Sequence, residues 1–120
     1  MAREQRQRAY RAGRRAELLA AQILRLKGYR ILARGFRAPV GELDIVARRG
    51  KVLAVVEVKR RRLVKAALEA ISPRQQRRIA RATEAFLARH PEMGCLNVRF
   101  DVMVVLPQRP PKHIMDAWRP

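Results

Sequence analysis

Acidic residues are scarce in this 120-residue chain: ten Asp and Glu stand against 28 Lys and Arg, a formal charge of +18. At this size the imbalance implies strong self-repulsion unless a polyanion shares the surface, and nucleic acid is the obvious one. Cysteine is almost absent. Cys95 stands alone, which excludes an internal disulfide, and with His90 and His113 as the only histidines there is no zinc-ligand spacing. No apolar run approaches the length that crosses a bilayer, and the N-terminus lacks the apolar segment of a signal peptide. A cytoplasmic protein with no membrane partner is the expectation. Aromatics are few, three Phe, two Tyr and one Trp, too few to read single strands by base stacking. The length suits one domain spanning residues 1–120, with a core that needs no disulfide or metal to hold it.

What the chain has in abundance is arginine, 23 residues against five lysines. The guanidinium fork holds two phosphate oxygens at once, although a genome rich in G and C gives the same bias. Residues 3–27 carry Tyr10, Leu18, Leu19, Ile23 and Leu26 near helical spacing, with Gly28 as a stop. The first half of that helix is crowded with Arg3, Arg6, Arg8, Arg11, Arg14 and Arg15, so it is expected to fray until an anionic partner orders it. Tyr29 to Phe36 reads as a strand, and 41–60 as a hairpin with Arg49-Gly50 at its tip. Leu63 to Ala70 reads as a short helix. Ser72-Pro73-Arg74-Gln75 is a helix start, with Ser as the cap and Pro at the first position, and that helix runs to Arg89. A strand over Leu96 to Leu106, a proline-rich connector and a closing helical turn over His113 to Trp118 complete the pattern. The order α-β-β-β-α-β predicts an α/β fold, a mixed central sheet flanked by helices.

The hairpin poses the central question, because three of the ten acids, Glu42, Asp44 and Glu57, sit in it. With an even-numbered loop at Arg49-Gly50, position 44 faces 55 and position 42 faces 57. Glu42, Asp44, Glu57 and Lys59 then share one face, while Leu43, Ile45, Val56 and Val58 line the other. A three-residue loop sends Asp44 and Glu57 to opposite faces. Two carboxylates about 4 Å apart repel by roughly 4 kcal/mol at an effective dielectric of 20. A good cross-strand pair returns only about 0.2–1 kcal/mol. Such a cost is kept at working sites, where a divalent cation relieves it, and carboxylates suit Mg²⁺ or Mn²⁺. Lys59 points the same way and is placed to hold or deprotonate an attacking water, or to stabilise charge on a scissile phosphate. The plainer alternative is a solvated face on which Glu42 and Glu57 pair near Lys59 and Arg60. Against it, VLAVVEVK is too apolar for an edge strand, which predicts a central strand for Glu57.

The Asp44, Glu57-Val58-Lys59 arrangement resembles the PD-(D/E)xK signature of restriction-endonuclease-like nucleases. The whole chain resembles the YraN family of bacterial endonuclease-like proteins. The matching blocks are Gly13-Arg14-Arg15-Ala16-Glu17, Gly28 to Leu32, Gly41 to Ala47, Val55 to Lys59, Gln76-Arg77-Arg78-Ile79 and Arg99-Phe100-Asp101-Val102. The resemblance implies a restriction-endonuclease-like core. In its Holliday-junction-resolvase-like branch an acid on the first helix joins the metal site, a place Glu17 occupies here; read alone, Glu17 is a helix carboxylate paired with Arg14 or Arg15. Gln76 matches a glutamine that orients water or phosphate; read alone, it is a solvated helix residue. Leu43 replaces the Pro of the signature, and Gln75 stands where relatives carry Lys.

Two functions follow as expectations. One is a Mg²⁺- or Mn²⁺-dependent DNA endonuclease in which Asp44, Glu57, Glu17 and Glu42 hold metal, and Lys59 and Gln76 serve the attacking water. Arg11, Arg14, Arg15, Arg60, Arg61, Arg74, Arg77 and Arg78 grip the backbone of branched or structured DNA. No small-molecule cofactor is called for. Symmetric cutting would need a homodimer, for which Phe86, Leu87 and Trp118 are available if they are not core. The other is a nucleic-acid-binding module with an idle site that acts through a partner protein. A peripheral membrane role fits worse, because the basic helix lacks an apolar stripe with Trp or Phe.

Overall fold

The computed structural model describes residues 2–120. It opens with helix α1, Ala2–Leu26, whose sheet-facing side is made of Ala16, Ala20, Ala21 and Leu24. Gly28 ends it with φ 89°. Its N–H donates to the Arg25 carbonyl at 3.0 Å and that of Tyr29 to Leu24 at 2.9 Å, the paired bonds of a Schellman stop. The basic first half is helical as well, from Ala2 onward. Arg, Ala and Gln are strong helix formers, and they carry the helix past the point where packing supports it.

Three strands follow as a meander, β1 Arg30–Ala38, β2 Gly41–Arg49 and β3 Val52–Arg60. A short helix α2, Val64–Glu69, and helix α3, Pro73–Arg89, make the crossover to β4, Asn97–Val105, which runs parallel to β3. Ser72 caps α3 as the sequence predicts, its hydroxyl accepting from the Gln75 N–H at 3.2 Å. The sheet order is β1-β2-β3-β4 with a fifth, C-terminal strand at the far edge of β4, so that β3 is central. The architecture is therefore the expected mixed α/β sheet with helices on both faces. One core lies under α3 and holds Leu43, Val46, Val55, Ile79 and Phe86; the other lies under α1 and holds Leu24, Ile45, Val56 and Met103. Phe86 and Trp118 belong to the first core, and Leu87 packs against it.

The C-terminal segment departs from the expected helical turn. Lys112–Ile114 forms β5, antiparallel to β4 with Met103 across from His113. Pro110 and Pro111 deliver the chain extended, and an open edge of β4 is there to receive it. Trp118 then stacks on Phe100 at 4.3 Å between centroids.

Asp101 anchors this strap from inside the sheet. It is fully buried. Its carboxylate accepts from Arg99 Nε and Nη2, each at 2.8 Å, and from the Asp116 N–H at 3.0 Å. His113 Nε2 lies 2.8 Å from it, and since Nδ1 faces the donor Lys27 Nζ, the imidazole donates from Nε2. Burial pushes the Asp101 carboxyl up, but the bonds from His113, Arg99 and Asp116 outweigh it and hold the group below the usual carboxylate range. The stability it contributes is complete above the unfolded-state value and is lost as pH falls through the folded one. Asp101→Asn is expected to cost about 3–5 kcal/mol at neutral pH by urea unfolding, with the difference narrowing in acid.

Candidate functional site

Two residues, Gly50 and Lys51, turn the β2–β3 hairpin, so Arg49 pairs with Val52 and Ile45 with Val56. The loop sits one residue later than Arg49-Gly50, because Gly50 supplies the positive φ (60°) at the first loop position. The loop is still even-numbered. Instead of facing Val55, Asp44 comes across from Glu57.

At that point the strands part. The β2–β3 pairing stops at Ile45 and Val56. Asp44 bridges the gap with its side chain, its Oδ2 accepting the Val58 N–H at 2.9 Å. On the other side of β2, the β1 register places Gly35, with φ 66°, across from Asp44. The left-handed glycine kinks the pair and resets which side chains point where. Leu43 consequently joins Val46 in the α3-side core, whereas Ile45 and Val56 remain on the α1 side with Val58 packed against them. The single shared face expected for Glu42, Asp44, Glu57 and Lys59 is corrected accordingly. Glu42 turns toward α1, where it borders a groove with Tyr10, Arg14, Glu17, Arg34 and Arg37, and pairs with Arg37 at 3.8 Å.

The parted strands open into a cavity of about 400 Å³. Its walls are Gly13, Ala16 and Glu17 of α1, Gly41, Glu42 and Asp44 of β2, Glu57 to Arg60 of β3, and Gln75, Arg78 and Ile79 of α3. Glu57 is 4% exposed, and its Oε1 is buried with no hydrogen-bond partner. Burial first, and then the Asp44 charge, push its carboxyl well above the usual range, against the pull of Lys59. Burial, Asp44 and Glu42 raise the Glu17 carboxyl too, against Arg34 and Arg14. Among the described residues neither Glu17 nor Lys59 makes an ion pair.

Of the residues expected at a site, the cavity thus gathers Glu17, Glu42, Asp44, Glu57, Lys59, Arg60 and Arg78. Gln76 is not among them: its amide Nε2 donates to the Ile71 carbonyl at 3.2 Å, tying α3 to the turn before it. Gln75 lines the cavity in its place. The stripe Ile79, Ala82 and Phe86 that packs α3 on the sheet, projected one turn back, lands on Gln75 rather than Gln76. Arg15 lies nearby with Arg60 in an adjoining groove, and Arg61 lines another with Arg62 and Pro107. Arg11, Arg74 and Arg77 are exposed and do not reach the cavity. Arg34 and Arg37 of β1, at the groove beside Glu17, carried no signal in the sequence beyond their charge.

No group of three His, Cys, Asp or Glu side chains among the described residues is gathered closely enough to form a ready-made cation site. The donor set nevertheless fits a hard cation that keeps most of its waters. Mg²⁺ is commonly held through one or two carboxylates, and here Asp44 stands beside a Glu57 oxygen that is buried and unpartnered.

The raised Glu57 carboxyl sets a pH dependence in the absence of divalent ions. Its favourable contribution is complete below the unfolded value of about 4.3 and is lost as pH rises through the folded one. Glu57→Gln in EDTA is expected to melt several degrees above the wild type at pH 8 and level with it near pH 4, read by thermal unfolding.

Residues 16–105 match the uncharacterised protein family UPF0102. A UPF0102 protein of Parvibaculum lavamentivorans is 56% identical over 93% of this chain and 84% of its own length. One from Chelativorans sp. is 53% identical over 98% of this chain and 94% of its own, and one from Paramagnetospirillum magneticum is 53% identical over 94% and 91%. The match takes in both parted strands, the second half of α1 and the whole α3 wall of the cavity, and the chain belongs to UPF0102, the YraN family.

Proposed function

We propose that this protein is a metal-dependent endonuclease of DNA, hydrolysing phosphodiester bonds at the cavity between α1, α3 and the parted strands. The observation that carries the reading is the unpartnered Oε1 of Glu57, buried in a central strand beside Asp44 and opening on a basic surface. A carboxylate left in that state is costly to the fold and useful to a bound cation.

A bound Mg²⁺ or Mn²⁺ would supply Lewis acidity and an acidified water. The chain's own residues do the rest. Asp44 is held in place by the Val58 N–H, so its free oxygen is oriented before anything binds. Glu57 is fixed by burial, and Glu17 and Glu42 stand at the α1 side as supporting acceptors. Lys59, which makes no ion pair among the described residues, is free to hold the attacking water or to stabilise charge on the phosphate. Arg60 and Arg78 flank the cavity, and the N-terminus of α3 adds the positive end of its dipole for neighbouring phosphates. Arg14, Arg15 and Arg61 extend the basic track on either side, and a duplex or branched substrate read by shape suits a surface with so few exposed aromatics. Among the described residues no helix is long and apolar enough to cross a membrane.

The second reading, a binding module whose site is idle, draws on the missing third tight carboxylate. One experiment separates the two. Wild type, Asp44→Ala and Glu57→Ala are incubated with labelled duplex, single-stranded and four-way-junction DNA, with Mg²⁺, Mn²⁺ or EDTA. A nuclease cleaves at least one substrate only with metal, and both variants lose that activity by a hundredfold or more while binding DNA as well as before or better, since negative charge near phosphate has been removed. Intact DNA bound by the wild type under every metal condition leaves only the binding module. In either case binding should weaken with salt at a log-log slope near about −4.5 for about five neutralised phosphates.

A further inference from the structure

Gly13 is the one glycine whose missing side chain the protein itself does not use. It lies in the interior of α1, where glycine is the least favourable residue after proline. Its backbone is not in the left-handed region that would require glycine, and a Cβ built there meets nothing within 4 Å. Gly41, on the facing wall of the same cavity, is the contrast: a Cβ there would stand 2.9 Å from the Arg78 carbonyl oxygen, so α3 packs directly on its backbone. The space at Gly41 is filled by the fold. The space at Gly13 is left open.

That space is the mouth of the cavity. Gly13 falls on the sheet-facing side of α1, three residues before Ala16 and seven before Ala20, and it lines the cavity with Glu17, Asp44 and Glu57. The unpartnered Glu57 oxygen, on a residue 4% exposed, belongs to the same cavity and independently marks it as the place where something binds. A long side chain at position 13 would project from the helix into the entrance between α1 and α3.

We infer that Gly13 is a clearance residue: it lets the sugar-phosphate backbone of a nucleic-acid strand pass against α1 on its way to Asp44 and Glu57. The inference rests on the nucleic-acid reading above and adds the path of the strand. It makes Gly13 a positioning residue that touches no metal and moves no proton, and whose effect is on binding of the strand at the cavity.

The test is fluorescence anisotropy of labelled duplex and four-way-junction DNA in EDTA, so that binding is read without cleavage, with melting curves for every variant. Gly13→Leu and Gly13→Gln are expected to melt no lower than the wild type and to bind at least tenfold more weakly. Gly13→Ala should gain helix content by circular dichroism and bind within about threefold of the wild type, because a methyl group still leaves the entrance open. Gln22→Leu, on the exposed side of the same helix, should bind as the wild type does. If Gly13→Leu and Gly13→Gln keep full affinity, the strand does not pass there and the inference falls while the nucleic-acid reading stands. Equal losses in Gln22→Leu would overturn it as well, by showing a general effect of altering α1. If the wild type binds no nucleic acid, both fall together.

Discussion

The parting of β2 from β3 beyond Ile45 and Val56 is the constraint on which the site depends. Two paired strands would normally continue their ladder to the ends, and every residue there would be spoken for. Here the Asp44 side chain takes over as acceptor for the Val58 N–H, so the divergence leaves no orphaned amide at that step. Gly35 across the other edge of β2 lets the backbone bend enough to do it. The cavity, the turn of Glu42 toward α1 and the crossing of Leu43 to the α3-side core are all consequences of this one local exchange of a backbone acceptor for a carboxylate.

The sheet carries a second buried acid that shows what the first one lacks. Asp101 pairs with Val56 across the parallel β3–β4 ladder, and Glu57 pairs with Val102 one step further on. The two acids are near neighbours on adjacent strands. Asp101 takes bonds from a guanidinium, an imidazole and an amide, and ties β4 to the last segment of the chain and, through His113 and Lys27, to the end of α1. Glu57 keeps one oxygen with nothing to accept from. Two acids on adjacent strands of one sheet thus sit at opposite ends of the range from a satisfied structural charge to a buried one left unpartnered.

Much of this was legible beforehand. Hydrophobic periodicity, the Ser72-Pro73 cap and the Gly28 stop located the helices, and the apolar run around Glu57 located a central strand. Alternation in the hairpin brought Asp44 and Glu57 together because parity survives a one-residue error in the position of the turn. What was not legible depended on breaks in regularity. Alternation assigned Leu43 and Glu42 to the wrong faces, since a kink opposite Gly35 is a property of two strands at once. Gln76 was preferred to Gln75 on resemblance, although the spacing of Ile79, Ala82 and Phe86 already favoured Gln75. The strand at Lys112 to Ile114 needed the open edge of β4, which no local pattern announces.

The turn at Gly50 and Lys51 has a consequence that its position conceals. It is exposed and lies at the far end of the hairpin from the carboxylates, the kind of place where a chain ordinarily accepts insertions and deletions without penalty. The strands it joins carry core side chains on both faces, so a one-residue slip of either would turn those side chains outward and part Asp44 from Glu57. A residue added at the tip is therefore taken up by the turn itself, and the two acids stay together because the cores on both sides of the hairpin hold the register for them.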